Sequence, residues 1–291
     1  MKFEHTKVMN FEAAFHGMRN PKNSWKLSDS DFSSTHCRID DPNAHCEHCK
    51  YFAGDDQPCI PMIGPKDMAL AQQLIRSGSE HRKFMRQIFV SVDITAPLFW
   101  WKEFDTYKVG TVANSTSTMH KIHSARITRD CFETGDYHPD LDLIDDIPLG
   151  VRVECFINDL EQLRQKYLQT KDKRYWKELI RWLPESWMQT RTVTLSYENL
   201  LAMCSKGQRR FHKLTEWSAD FISWARSLPY AQEFIFLDEL DEAKKELESK
   251  SAREKFIGEI KRAVTGDVSE CDIKMDELLK VIEKYTIREV S

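Results

Sequence analysis

An apolar, β-branched run that ends in proline and is followed at once by large aromatics can fold in few ways. Residues 79–111 read SEHRKFMRQIFVSVDITAPLFWWKEFDTYKVGT. Ile88 to Ile94 suits a pleated, half-buried strand. Thr95 is placed to cap the next helix and Pro97 to sit in its first turn, where a missing N–H costs nothing. A strand that hands over to a helix start is a common place to hold an anion. Phe99, Trp100 and Phe104 on that helix are expected to fill a core, the alternative being a wall for a flat ring system.

The chain has 291 residues, enough for one substantial core, as a single α/β or α+β domain with additions or as two small domains. Hydrophobic residues make up 41% and charged residues 30%, a balance that fits a globular protein. Lys+Arg 42 against Asp+Glu 46 gives a net charge of −4, so the whole chain has no positive excess with which to coat nucleic acid. No run reaches the roughly 18 apolar residues of a membrane span. The beginning, MKFEHTKVMNFEAAF, lacks the basic-then-apolar layout of a signal peptide. These features predict a cytoplasmic protein, whose eight cysteines are thiols or metal ligands rather than disulfides.

Four segments follow from the patterning. Residues 1–35 hold the polar, loop-forming GMRNPKNSWKLSDSDFSS, and 36–62 form a cysteine-rich insert. Residues 63–235 form the core. Within it a helix is expected over Met68–Ile75 with Gly78 as its stop, a strand or strand end over Val151–Phe156, and two amphipathic helices over 158–182. A strand over Thr190–Leu195 and a long helix over Tyr197–Leu228, broken near Lys206–Gly207, complete it. Residues 236–291 read as a charge-rich helical extension.

Cys37, Cys46, Cys49 and Cys59 fall within 23 residues. The Cys-x2-Cys pair allows two thiolates to hold one tetrahedral ion, and the outer two cysteines can close a structural zinc site, with His36, His45 and His48 as substitutes. Four loop thiols without metal are the alternative. No dinucleotide-binding glycine fingerprint, Walker loop or Ser-His-Asp pattern occurs.

The stretch 79–117 resembles the flavin-dependent thymidylate synthase family, whose pattern there is a histidine, a strand, Ala-Pro, then Gln-x-x-Arg-His-Arg-x-x-Ser-x-Asn-Glu-x-Ser. His81 stands at the histidine, Ala96-Pro97 at the Ala-Pro, Glu103 at the glutamine, Thr106-Tyr107-Lys108 at the Arg-His-Arg and Thr111 at the first serine. Beyond it the pattern falls on Ala113, Asn114 and Thr116, and a one-residue slip pairs Asn114 and Ser117 with the family's Asn and Ser. A second likeness spans LPESWMQTRTVTLSYENLLAMCSKGQRRFHKLTEW: Leu183-Pro184, Thr194 and Leu200 match, and His212 with Glu216 keeps a His-x-x-x-Glu spacing that would put both on one helix face. Ser196 and Glu198 replace the family's Asn and Arg, and its helix arginine falls at Gln208 or Arg209.

The resemblance implies an α+β fold of the flavin-dependent thymidylate synthase type, with the Cys-rich insert and helical extension as additions. It implies a homotetramer and methylation of dUMP or a related pyrimidine nucleotide, with FAD, NADPH and methylenetetrahydrofolate. The implied nucleotide- and cofactor-binding residues are His81, Glu103, Tyr107, Lys108, Thr111, Asn114, Thr116, Ser117, Arg209 and His212. Where the family has guanidinium forks, Lys108 keeps the charge, Thr106 and Tyr107 lose it and Glu198 reverses it. Altered substrate choice or reduced activity is therefore expected. The alternatives are a relative acting on another nucleotide and a non-catalytic binding or assembly protein that keeps the fold.

Overall fold

The computed structural model describes residues 1–32, 61–141 and 144–248, so the cysteine cluster Cys37, Cys46, Cys49, Cys59 lies outside the described residues, as does the tail beyond 248. In chain order the elements are β1 (Lys2–Met9), α1 (Phe11–Arg19), α2 (Pro65–Arg76), β2 (Phe89–Pro97), α3 (Leu98–Phe104), β3 (Val112–Ser115) and α4 (Thr118–Lys121). Then come α5 (Leu149–Thr170), α6 (Lys173–Arg181), β4 (Met188–Ser196), α7 (Tyr197–Met203) and α8 (Lys206–Phe211). A π-helical turn (Glu216–Phe221) leads into α9 (Ile222–Arg226), followed by α10 (Ala231–Phe234) and α11 (Leu237–Glu248). These form two compact units interleaved in sequence. One comprises Met1–Met9, Phe89–Asn199 and Arg209–Trp224; the other comprises the described parts of Asn10–Ile88, Leu200–Gln208 and the chain from Ala225 on.

The first unit is built on an antiparallel sheet of order β1-β2-β4-β3. Along β2 the pleat alternates as the sequence dictates: Val90, Val92 and Ile94 are buried, while Ser91, Asp93 and Thr95 face the partly open side. β2 runs further than expected. Thr95 does not cap a helix; it pairs with Thr190 of β4, and their hydroxyls share a 2.7 Å hydrogen bond. Pro97 still takes part in the ladder, opposite Met188, and occupies the cap position of α3 with an extended ψ of 155°. Proline tolerates this site because it is the last residue of the strand, where it leaves no interior donor missing.

Val151–Phe156 is not a strand but the first turns of α5. The alternation of VRVECF misleads because this part of the helix is mostly solvent-facing, with Val151 and Phe156 exposed and burial beginning at Ile157 and Leu160. Those two residues join Ile122, Ile127, Phe132 and Leu179 in a small core between α5, α6 and the preceding segment. The polar anchor beside it is a fork: the Arg164 guanidinium donates through Nε and Nη2 to both Glu161 carboxylate oxygens, each at 2.7 Å, and Nη1 donates to the His123 carbonyl at 3.0 Å. Glu161 also accepts from the Ile127 amide and Gln165.

In the second unit α1 buries Phe11, Ala14, Phe15 and Met18, a helical i, i+3, i+4, i+7 stripe. Phe15 meets Phe84 and Phe234, and Phe11 meets Tyr230 edge-on. Neither β1 nor α1 was expected from the polar character of residues 1–35. A buried ion pair of this unit joins Arg19 Nε to Asp67 Oδ1 at 2.6 Å, with Ser28 and Ser30 hydroxyls donating to Asp67 Oδ2. Asp29 accepts from the Lys66 and Asp67 amides at the start of α2. Gly64 is required next to it, since a Cβ there would lie 2.3 Å from the Asp29 carbonyl oxygen.

The bonds from Arg164, Ile127 and Gln165 hold the Glu161 carboxyl down to about 2 against the opposing cost of burial. A depressed folded-state value stabilises the fold above the ordinary carboxylate range, and the contribution is lost as pH falls from about 4.5 toward 2. Glu161→Gln should cost about 3 kcal/mol by leaving a largely buried guanidinium without its counter-ion. Its acid-unfolding profile should be flatter than that of the parent. Urea denaturation at pH 7 and pH 3 measures both effects.

Candidate ligand loop over an aromatic floor

All but one of the residues that the sequence nominates for ligand contact lie in the first unit, on the segment Glu103–Ser117 and around residues 209–212; His81 lies in the second unit, exposed, in the turn after α2. The segment Glu103–Ser117 starts at the end of α3. Trp100, Trp101 and Phe104 of α3 are fully buried, as a core role requires, and Phe99 is half-buried. Trp100 packs with Trp217 and Phe221 of the π-helical turn, 5.5 Å from the first and 5.6 Å from the second between ring centroids. Wide π turns often occur at functional sites, and this one carries Trp217 beneath two of the nominated residues. The His212 imidazole stacks on Trp217 at 4.2 Å with 12° between planes, and Tyr107 lies against the same indole at 5.5 Å.

His212 is not on a continuous helix with Glu216. Residues 212–214 are irregular between α8 and the π turn, so the shared helix face implied by the spacing does not form. What does form is a close approach of His212 Nε2 to Glu103 Oε1 at 3.8 Å, too long for a hydrogen bond. The His212 side chain is 7% exposed, and its Nε2 has no hydrogen-bond partner among the described residues; the same holds for the indole N–H groups of Trp100 and Trp217. Burial lowers the His212 pKa below its ordinary value and Glu103 pulls against that. Glu216 next to Trp217 is shifted the other way, raised by burial and by Glu133, Asp136 and Asp220.

Beyond Phe104 the chain makes a turn and returns along the sheet. Thr106 donates its hydroxyl to the Glu103 carbonyl, and Thr111 donates to the carbonyls of Tyr107 and Lys108. Gly110 has φ +79°, a conformation that closes the turn and that a side chain would strain. Lys108 is exposed at its outer edge. β3 then pairs with β4, placing Asn114 opposite Thr192; the Thr116 amide donates to the Thr190 carbonyl, and Ser117 caps α4 through the His120 amide.

Three side chains that sequence reasoning passed over hold this segment. Arg191 on β4 lies over the Trp101 ring at 4.2 Å and donates to Asp105 Oδ1 at 2.9 Å. Gln189 donates to the Thr116 carbonyl and to Thr118. Asn199 donates to the Val109 carbonyl at 2.6 Å. A signal for the last was present: Ser196-x-x-Asn199 is a capping-box spacing at a strand-to-helix junction. Nothing in the sequence pairs Arg191 with Asp105, 86 residues apart.

No protein-family model and no curated protein matches the sequence. Among solved structures, the chain is similar to the flavin-dependent thymidylate synthase ThyX of Helicobacter pylori, crystallised with FAD and dUMP. One structure gives a TM-score of 0.51 at 13% identity over 82% of this chain and 99% of that one. A second gives 0.50 at 14% over 82% and 98%. The UMP/dUMP methylase PolB of Streptomyces cacaoi, bound with 5-Br dUMP, superposes on 60% of this chain and 82% of its own at 15% identity, with a TM-score of 0.41.

Glu103 is the charged neighbour that draws the His212 pKa upward, so Glu103→Gln should lower it further. A nuclear magnetic resonance titration of the imidazole should find a midpoint below 6.5 in the parent and a lower one in the variant. Because the folded-state value is depressed, His212 favours the fold above the ordinary histidine range, and that contribution fades as pH falls through the folded value. Equal midpoints in the two proteins would show that the carboxylate does not act on the ring. The chain has an α+β fold of the flavin-dependent thymidylate synthase type.

Proposed function

We propose that the protein binds a flavin and a pyrimidine nucleotide, dUMP or a relative, and acts as a thymidylate synthase-like methylase with altered substrate choice or reduced turnover. The observation that carries this reading is the buried, unpartnered His212 edge stacked on Trp217 and 3.8 Å from Glu103, at the root of the Tyr107–Ser117 segment, in a fold shared with an enzyme crystallised with FAD and dUMP.

The donor set fits a flat ring better than a phosphate. Tyr107 offers a half-exposed aromatic face, and the enclosed His212 Nε2 beside it has no hydrogen-bond partner among the described residues. Tyr107, His212, Glu103 and Thr111 would hold FAD, which when bound supplies hydride transfer between NADPH, methylenetetrahydrofolate and the nucleotide. For the phosphate, Lys108 and Arg209 are the cations proposed to share an anion-accepting cleft, with Asn114, Thr116 and Ser117 as neutral donors. Against them stand Glu103, Asp105 and Glu198, and the Arg191 guanidinium is already paired with Asp105. His81 and a homotetrameric assembly belong to the same proposal, as does structural zinc on Cys37, Cys46, Cys49 and Cys59, supported by their spacing.

Purified protein should take up FAD, visible as flavin absorbance, more readily than it takes up dUMP. Lys108→Ala should weaken dUMP binding about tenfold while leaving the melting temperature nearly unchanged, on the scale of one charge-assisted hydrogen bond. Tritium release from labelled dUMP with NADPH and the folate donor then reads turnover. A colourless protein that cannot be loaded with FAD would favour the alternative, a binding or assembly protein that retains the fold; the loss of cations at Thr106 and Tyr107 is the observation on its side.

Metal analysis of protein prepared without chelators should find about one zinc per chain. Metal-free protein with all four thiols freely titratable would remove the zinc proposal and leave the nucleotide reading untouched.

A further inference from the structure

The geometry points to Asn199 as the residue that positions the Tyr107–Thr111 turn for ligand binding, a role that rests on the nucleotide-binding reading above. Asn199 uses the two ends of its amide for two tasks. Its Oδ1 accepts from the Ser196 amide at 3.0 Å and from the Ser196 hydroxyl at 2.7 Å, while its own amide lies 3.3 Å from Ser196 Oγ. That reciprocal arrangement is a capping box, which fixes the first turn of α7 against the end of β4. Its Nδ2 then donates to the Val109 carbonyl at 2.6 Å. Val109 itself is 90% exposed and contributes no burial of its own to hold the turn.

The bond falls between the two residues whose placement matters. Lys108 precedes Val109 and Gly110 follows it, with φ +79° and with Asn199 so close that a Cβ on Gly110 would stand 3.3 Å from Oδ1. Arg191 and Gln189 hold the segment at Asp105 and at Thr116, before and after the turn. Asn199 is therefore a side-chain link from the end of β4 to the turn itself; with Trp217 against the Tyr107 ring, it helps set the direction in which Tyr107 and the Lys108 ammonium are presented.

The two tasks separate chemically. Asn199→Asp keeps an acceptor for the Ser196 amide and hydroxyl, and a carboxylate in the first turn suits the helix dipole, but it has no N–H for the Val109 carbonyl. Asn199→Ala removes both. If Asn199 served the helix cap alone, the Asp variant would bind ligand as the parent does. As a positioning residue, it requires both variants to lose about tenfold in dUMP affinity by calorimetry, although Asn199→Asp, which keeps the cap, should lose less in melting temperature than Asn199→Ala. Gly110→Ala disturbs the same contact from the loop side and should give the same loss, which keeps the inference testable should one Asn199 variant fail to fold. Parent-like dUMP and FAD affinities in Asn199→Asp and Gly110→Ala would overturn the positioning role while leaving the nucleotide reading intact. Failure of the parent protein itself to bind either ligand would overturn both.

Discussion

The nine-residue ladder between β2 and β4, from Phe89 opposite Ser196 to Pro97 opposite Met188, is the constraint on which the first unit depends. An antiparallel pair in full register fixes which side of each strand is buried, because a slip of one residue would turn Val90, Val92 and Ile94 outward. It also fixes the ends. α3 leaves the sheet where β4 enters it, with the Leu98 and Phe99 amides donating to the carbonyls of Trp187 and Glu185. The chain then runs to the opposite end of β4, turns at Gly110 beside Asn199, and comes back as β3 along the open edge of β4. Every nominated contact residue of this unit up to Ser117 lies on that excursion.

The sequence was legible where one force dominated. β2 shows its strand character through strict alternation, and Trp100 and Trp101 of α3 are buried because no half-exposed site suits two adjacent tryptophans. α2 begins at Pro65 and stops before Gly78, whose φ of +98° suits a chain reversal after the helix. It was illegible where exposure weakened the pattern. In α5 the first two turns bury little, so periodicity there reports nothing about the helix, and VRVECF mimics an edge strand. β3 is exposed along its whole length and shows no alternation of apolar and polar residues. In residues 1–32 the composition of the loop hid an eight-residue strand and a helix whose core face is sound.

The candidate site was legible residue by residue but not as an arrangement. The spacing of His212 and Glu216 suggested a shared helix face, whereas the chain breaks at 212–214 and gives His212 a different acidic neighbour, Glu103, 109 positions away in sequence. Stacking on Trp217 explains why the break is tolerated: a flat imidazole against a buried indole recovers contact area that a regular helix would have supplied. No local pattern encodes that pairing, since it depends on where the β2–β4 ladder puts α3 relative to the π turn within the same unit.

Charge is distributed in a way that bears on function. Arg164, Arg191 and Arg19, each well enclosed, all answer to a carboxylate: Glu161, Asp105 and Asp67 respectively. A guanidinium paired in this way is committed to its carboxylate, and releasing it to a phosphate would strand the carboxylate. The Tyr107–Thr111 turn is instead shaped by neutral bonds, from Thr106, Thr111 and Asn199 to backbone carbonyls. Backbone-shaped turns place a ring face or a single ammonium accurately and do so without regard to salt, whereas a cluster of arginines would draw a dianion from a distance and weaken as ionic strength rises. Under the proposed function, a site built this way would select its ligand by fit against Tyr107 and His212 before charge, which is the physical reason for expecting the flavin ahead of the nucleotide.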